Sequence, residues 1–365
     1  MPQALLLHGQ AGIGKFDFAI HLAQSLLCEA DLLSAGTKPC KQCEACRWFE
    51  TGNHPDLIAL VPQTYRKKLP HAALEGLEKS SEMLGDEEPE SPKLEAESAD
   101  IATEPKEKKQ SGFIRMEQSL AAIQSMGIGS HRGGYRVLLI YPLELLRVEA
   151  ANALLKSLEE PNPKTLFILV ADRLDRVMPT IRSRCQLIAM PRPMREEALI
   201  WLQAQLEGQK NLKLGPHEIE NALDEQGGAP LAARDFILAK RSDNDKDPLI
   251  LATAATPILL EALSKGRDIP WLECAEKIHK APYSSLLNTM QRWLSDIQTA
   301  AQAKQQRYYP RHAKQIDALA AQANLIQLMR LWKQLIEARR HENHPLSTRI
   351  QLESLLTQYQ QIFEA

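Results

Sequence analysis

Ala4-Leu5-Leu6-Leu7-His8-Gly9-Gln10-Ala11-Gly12-Ile13-Gly14-Lys15-Phe16 decides how the first half of this chain folds. A compact apolar run gives way to a glycine-rich turn, and then Phe18, Ala19, Leu22, Leu26 and Leu27 recur at helical spacing. The pattern predicts a buried strand, a tight turn and a helix beginning near Lys15 with one face against a core. That is the context of a phosphate-binding P-loop. Gly9, Gly12 and Gly14 let backbone N–H groups converge on phosphate oxygens, the helix N-terminus adds its positive end, and Lys15 can reach the outer phosphates. One position departs from the motif: where Ser or Thr should ligate Mg²⁺ stands Phe16, which has no oxygen to offer.

Further short apolar runs at Leu57–Val61, Val137–Ile140, Leu166–Val170 and Leu187–Met190 read as strands, with helical segments between them. Together they predict a mainly parallel sheet covered on both faces. A nucleotide-hydrolysing site of this kind needs a carboxylate at the end of a second strand to hold the metal and polarise water. Val137-Leu138-Leu139-Ile140 runs instead into Tyr141-Pro142-Leu143-Glu144, so Tyr141 occupies the acidic position and Glu144 is the nearest alternative acid. Two independent departures predict that this chain does not hydrolyse ATP.

Four of the six cysteines, Cys28, Cys40, Cys43 and Cys46, fall within nineteen residues. Clustered cysteines of this spacing suit metal better than disulfides in a cytoplasmic protein, and four thiolates match the tetrahedral preference of Zn²⁺ in a structural site. His21 or His54 in place of one cysteine is a lesser variant. The cluster lacks the density of basic and aromatic residues that a free-standing nucleic-acid module favours.

Composition bounds the rest. The 365 residues exceed one ordinary domain, 44% are apolar, and no apolar run approaches the ~20 residues of a membrane span. The first residues lack a secretory signal, which places the expected location in the cytoplasm. Formal net charge is −2, but residues 75–110 hold twelve acidic and five basic side chains, leaving the remainder mildly basic. The stretch from about 72 to 111 has no aromatic anchor and reads as a disordered acidic insertion. Beyond Pro191 the strand pattern stops. Glu196–Leu206 and Glu218–Leu223 read as short helices, Gly227-Gly228-Ala229-Pro230 breaks the pattern, and a polar linker at Arg241–Asp247 leads into amphipathic stretches around Leu259, Leu286–Ile297, Ala313–Ala338 and Leu346–Phe363.

The damaged P-loop, the four cysteines, Asn53-His54-Pro55-Asp56, Ala151-Asn152-Ala153-Leu154-Leu155-Lys156-Ser157-Leu158-Glu159-Glu160-Pro161 and Thr180-Ile181-Arg182-Ser183-Arg184-Cys185 together resemble the bacterial clamp-loader branch of the AAA+ proteins. The likeness spans the ATPase-like part apart from the acidic insertion and resumes weakly at His344-Pro345-Leu346. It implies an α/β AAA+ P-loop-type parallel sheet with a zinc module (28–46) in residues 1–191, a small helical lid over 192–242 and an all-α collar for oligomerisation over 243–365. It also implies a heteropentamer of one delta, three ATP-hydrolysing tau/gamma subunits and one non-hydrolysing subunit, which opens a sliding clamp and closes it around primed DNA during replication. Tau/gamma subunits keep an intact P-loop and acidic motif; delta usually lacks the zinc cysteines and Ser183-Arg184-Cys185. The residues here match the remaining, non-hydrolysing subunit, with Arg184 offered in trans to a neighbour's ATP site. The alternative is an active tau/gamma-like ATPase that relies on Glu144. Three departures stand out: the family usually has a longer segment before the first strand, the acidic insertion is unusual, and where active relatives place a sensing arginine this chain has Leu231 and Ala232, with Arg234 nearby.

Overall fold

A computed structural model describes residues 3–30, 37–62, 114, 116–126, 129–207, 214–241, 247–303, 306–340 and 347–364. The acidic insertion, most of the linker after Arg241 and His344-Pro345-Leu346 lie outside them. The chain divides into two compact units, Met1–Pro191 and Arg192–Ala365.

The first unit is built on a five-stranded parallel sheet in the order β2-β3-β4-β1-β5, formed by β1 (Ala4–His8), β2 (Leu57–Leu60), β3 (Arg136–Ile140), β4 (Thr165–Ala171) and β5 (Gln186–Ala189). β1 lies between β4 and β5, pairing Leu6 with both Leu169 and Leu187. Strand alternation divides the core in two. Leu6, Leu138, Ile140, Phe167 and Leu169 pack on one face with residues of α3 (Met116–Met126), α4 (Val148–Glu159) and α5 (Pro179–Arg182). Leu5, Leu7, Val137, Leu139, Ile168 and Val170 pack on the other with α1 (Lys15–Leu27) and Phe49 of α2 (Glu44–Glu50). Two expectations need correction. Phe18 is 45% exposed, because the sheet selects the face carrying Phe16, Ala19, Ala23 and Leu27. β5 is not covered on both faces either: it is an edge strand with Leu187 exposed.

In the second unit α6 (Arg195–Glu207), α7 (Pro216–Glu225) and α8 (Pro230–Ala239) enclose a small core of Leu202, Leu206, Leu223, Phe236 and Ile237. The turn through Gly227 and Gly228, both at positive φ, separates α7 from α8. A larger core belongs to α9 (Pro248–Ser264), α10 (Trp271–Ile278), α11 (Tyr283–Ala303), α12 (Ala313–Gln322), α13 (Leu325–Arg340) and α14 (Thr348–Gln361). At its centre Trp293 Nε1 donates to Tyr359 Oη at 2.9 Å, and Tyr359 donates to the Leu263 carbonyl at 2.7 Å, so neither buried polar group is left unpaired. The stretch Ala313–Ala338, read as one amphipathic run, is two helices. Asn324 breaks it, its side chain accepting the N–H groups of Ile326 and Gln327 at the start of α13.

Candidate functional site

The carboxyl ends of β1, β3 and β4 meet where strand order reverses, the place at which open parallel sheets bind ligands. Gly9 leaves β1 so close to the last strand that a Cβ would lie 2.7 Å from the Met190 carbonyl oxygen. Gly14, at φ 93°, caps α1 in the left-handed region that disfavours side chains. A side chain at either of these positions would disturb the loop's backbone.

Its chemical groups are engaged internally. Lys15 is 3% exposed, and its Nζ lies 2.6 Å from Asp172 Oδ1 while donating to the Gln10 carbonyl at 2.5 Å. Asp172 directly follows β4, so the sheet itself brings this carboxylate against the P-loop lysine. Phe16 and Tyr141, at the two positions where the sequence pattern predicts metal ligands, also meet: their rings pack with centroids 4.8 Å apart, and Tyr141 Oη donates to Asp172 Oδ2 at 3.3 Å. Glu144, the alternative acid, accepts the backbone N–H groups of Asp172 and Arg173 at 3.1 Å each. Burial pushes the Glu144 carboxyl above its ordinary range, aided by the neighbouring Asp172 carboxylate and opposed by backbone N–H groups, its own first and then those of Asp172 and Arg173. Its oxygens hold the end of β4 in place. Asp172 was not singled out from the sequence; an acid directly after a strand that pairs beside the P-loop strand was the available signal.

The four cysteines converge. Their Sγ atoms lie within 4.8 Å of one another, with Cys28–Cys43 and Cys40–Cys46 at 3.9 Å. A tetrahedron with ~2.3 Å metal–sulfur bonds has edges of about 3.8 Å, so the donor set fits Zn²⁺. The local backbone prepares it: Lys41 turns through φ 57°, Cys43 N–H donates to Cys40 Sγ at 3.3 Å, and Cys43 caps α2 by accepting Cys46 N–H at 3.4 Å. The N–H groups of Gln42 and Cys43 lower the Cys40 thiol to about 6, whereas burial pushes the Cys46 thiol up. Neither His21 nor His54 joins the cluster. His54 Nδ1 instead accepts the N–H of Asp56, and buried Asp56 holds Ser130, His131 and Arg132 through bonds of 3.0, 2.8 and 3.2 Å. Arg132 then spans the module: it is bidentate to Glu29 and lies 4.8 Å over the Trp48 ring. His54 and Asp56 of the Asn53-His54-Pro55-Asp56 run are thus tied into this clamp.

The Ser183-Arg184-Cys185 motif follows α5, pinned by buried Ile181 and half-buried Cys185, whose thiol burial pushes up to about 11. Ser183 Oγ donates to the Thr180 carbonyl at 3.0 Å, and Arg184 reaches the surface. Its guanidinium donates to Glu159 of α4 through Nε at 2.7 Å and through NH2, and through NH1 to the Thr180 carbonyl at 2.8 Å. In the second unit Arg234 pairs with Asp235 at 2.9 Å and lies 6.0 Å from the Trp201 ring. No helix among the described residues is long and apolar enough to cross a membrane.

Comparison with known proteins gives these sites a context. A family model described as DNA polymerase III, delta subunit, matches residues 1–194. DNA polymerase III subunit delta' of Pseudomonas aeruginosa is 34% identical over 235 residues, which cover 63% of this chain and 54% of that protein. The Bacillus subtilis protein of the same name is 28% identical over 244 residues, covering 67% and 52%. The chain thus spans about half the length of these curated relatives. A DNA polymerase III, gamma subunit-related protein from Thermotoga maritima aligns with all of this chain and 95% of its own at a TM-score of 0.41 and 13% identity.

Proposed function

Since the chain belongs to the DNA polymerase III delta subunit family, we propose that it serves as the delta-prime subunit of a clamp loader, a non-hydrolysing member that completes the assembly and supplies Arg184 in trans to a neighbouring ATPase subunit. In this reading the partners are tau/gamma and delta subunits in a heteropentamer, with the sliding clamp and primed DNA engaged through the complex in the cytoplasm. Residues 192–242 act as the lid and 243–365 as the collar.

The observation that carries the non-hydrolysing role is the state of the P-loop. Phe16 and Tyr141 pack ring to ring where metal ligands belong, and Lys15 is already neutralised by Asp172. A nucleotide would have to displace that carboxylate from Lys15, and position 16, where the motif places a hydroxyl for the metal, offers none. Cys28, Cys40, Cys43 and Cys46 hold a structural Zn²⁺, since four thiolates fill all four positions and leave none for water. The metal's contribution is to cross-link the module.

ATP turnover tests the reading at both ends. The isolated protein is expected to show no hydrolysis above a Lys15→Ala control, and turnover abolished by that substitution would restore the ATPase alternative. In the reconstituted complex, Arg184→Ala should leave assembly intact and partly reduce clamp- and DNA-stimulated ATPase, because the finger reaches one of three sites. Arg184→Lys should not rescue it, as an ammonium does not reproduce the planar fork. Wild-type rates with fully incorporated Arg184→Ala protein would leave the subunit a scaffold only.

A further inference from the structure

Resting on the trans-arginine reading above, we propose that Glu159 is a positioning residue for that arginine, holding the guanidinium in the orientation in which it meets a phosphate on the neighbouring subunit. Glu159 is the last residue of α4, followed by Glu160. Acidic side chains at a helix C-terminus face the negative end of the macrodipole, and local rules are broken in this way mainly where function requires it. The compensation here is Arg184, whose Nε and NH2 both donate to Glu159 Oε1. NH1 turns back to the Thr180 carbonyl, with only a 3.4 Å contact to Ser183 Oγ besides.

These contacts define the plane of the fork. A guanidinium has five N–H donors, and the bonds to Glu159 and the Thr180 carbonyl take one each from Nε, NH1 and NH2. NH2 keeps a second hydrogen, and that of NH1 meets only the long 3.4 Å contact to Ser183 Oγ, so an incoming bidentate anion can take the pair. Arg184 and Glu159 side chains are 33% and 48% exposed, so their ion pair adds little to stability. Its effect is on orientation. A free arginine would have to give up side-chain rotamer freedom on reaching the phosphate, and here Glu159 has already imposed that order.

The test is a double-substitution cycle in the reconstituted complex, with native mass confirming incorporation. Glu159→Ala is expected to lower the stimulated kcat by at least about half the loss, on a logarithmic scale, seen with Arg184→Ala, with KM for ATP changed by less than about twofold. Glu159→Gln, which keeps an acceptor oxygen, should recover part of the rate. The Arg184→Ala/Glu159→Ala double variant should be no slower than Arg184→Ala alone, because Glu159 acts only through the arginine. Additive losses, or a Glu159→Ala complex at wild-type rate beside an impaired Arg184→Ala complex, would overturn the positioning role and leave the trans finger standing. An Arg184→Ala complex with full activity would instead remove the reading on which this one rests.

Discussion

Glu144 illustrates how a single side chain can resemble a catalytic acid and perform a structural task. Its carboxylate lies close to Asp172 and is held by backbone N–H groups in a setting that favours its protonated form. A carboxyl whose folded value is raised binds its proton more tightly in the native state. The fold is therefore favoured on the acid side and loses stability as pH rises from the unfolded value, near ~4.3, through the folded one. Glu144→Gln carries no such loss and retains an oxygen for the same N–H groups. The variant should unfold a few degrees above wild type at pH 7.5, with the difference closing as pH falls toward 4, as followed by thermal scans across that range. A variant less stable than wild type at pH 7.5 would show that the ionised carboxylate is needed for the β4 terminus.

Among the elements, β1, β3 and β4 were legible from sequence because burial on both faces of a parallel sheet leaves plain apolar runs, and Gly9 because a Cβ has no room there. The cysteine module was legible because its ligands are close in sequence. Contacts between distant residues were not: Lys15 with Asp172, Arg132 with Glu29 and Arg184 with Glu159 each join segments that only the folded sheet brings together. The face of α1 was misread because helical periodicity alone cannot choose between Phe16 and Phe18; the sheet makes that choice. The division of Ala313–Ala338 depends on Asn324, whose N–H also reaches the Ile362 carbonyl of a distant segment. At this scale the metal prediction follows. Cys43 both stands among the four converging thiols and caps α2, so Cys43→Ser should reduce bound zinc from the expected value of about one equivalent to well below it and increase protease sensitivity between Cys28 and Trp48, while hydrogen exchange in β1 and β4 stays near wild type. Native protein purified without chelator and holding far less than one equivalent of zinc would count against the site.

At the scale of the whole molecule, α13 carries a run of exposed apolar side chains. Leu325, Ile326, Met329 and Ile336 are 46%, 68%, 52% and 46% exposed and fall on one side of the helix, adjoining the face that buries Leu328, Leu331 and Leu335. Ile326→Glu should leave the thermal midpoint unchanged within about 2 °C, since a solvated position contributes little to stability. It should lower incorporation into the complex at least about tenfold if this face is the collar contact, measured by competition with wild-type protein. Equal incorporation would move the contact elsewhere.

The aromatic pair at the P-loop has a consequence on the timescale of descent. Restoring serine at Phe16 alone would strip Tyr141 of its ring partner and open a gap in the core that Phe16 helps to fill. Restoring aspartate at Tyr141 alone would set another carboxylate beside Asp172 and Glu144. Either single change lowers stability before it can add a metal ligand, so packing and charge tie the two positions together, and placing oxygen ligands at both would require coordinated changes rather than a gradual path.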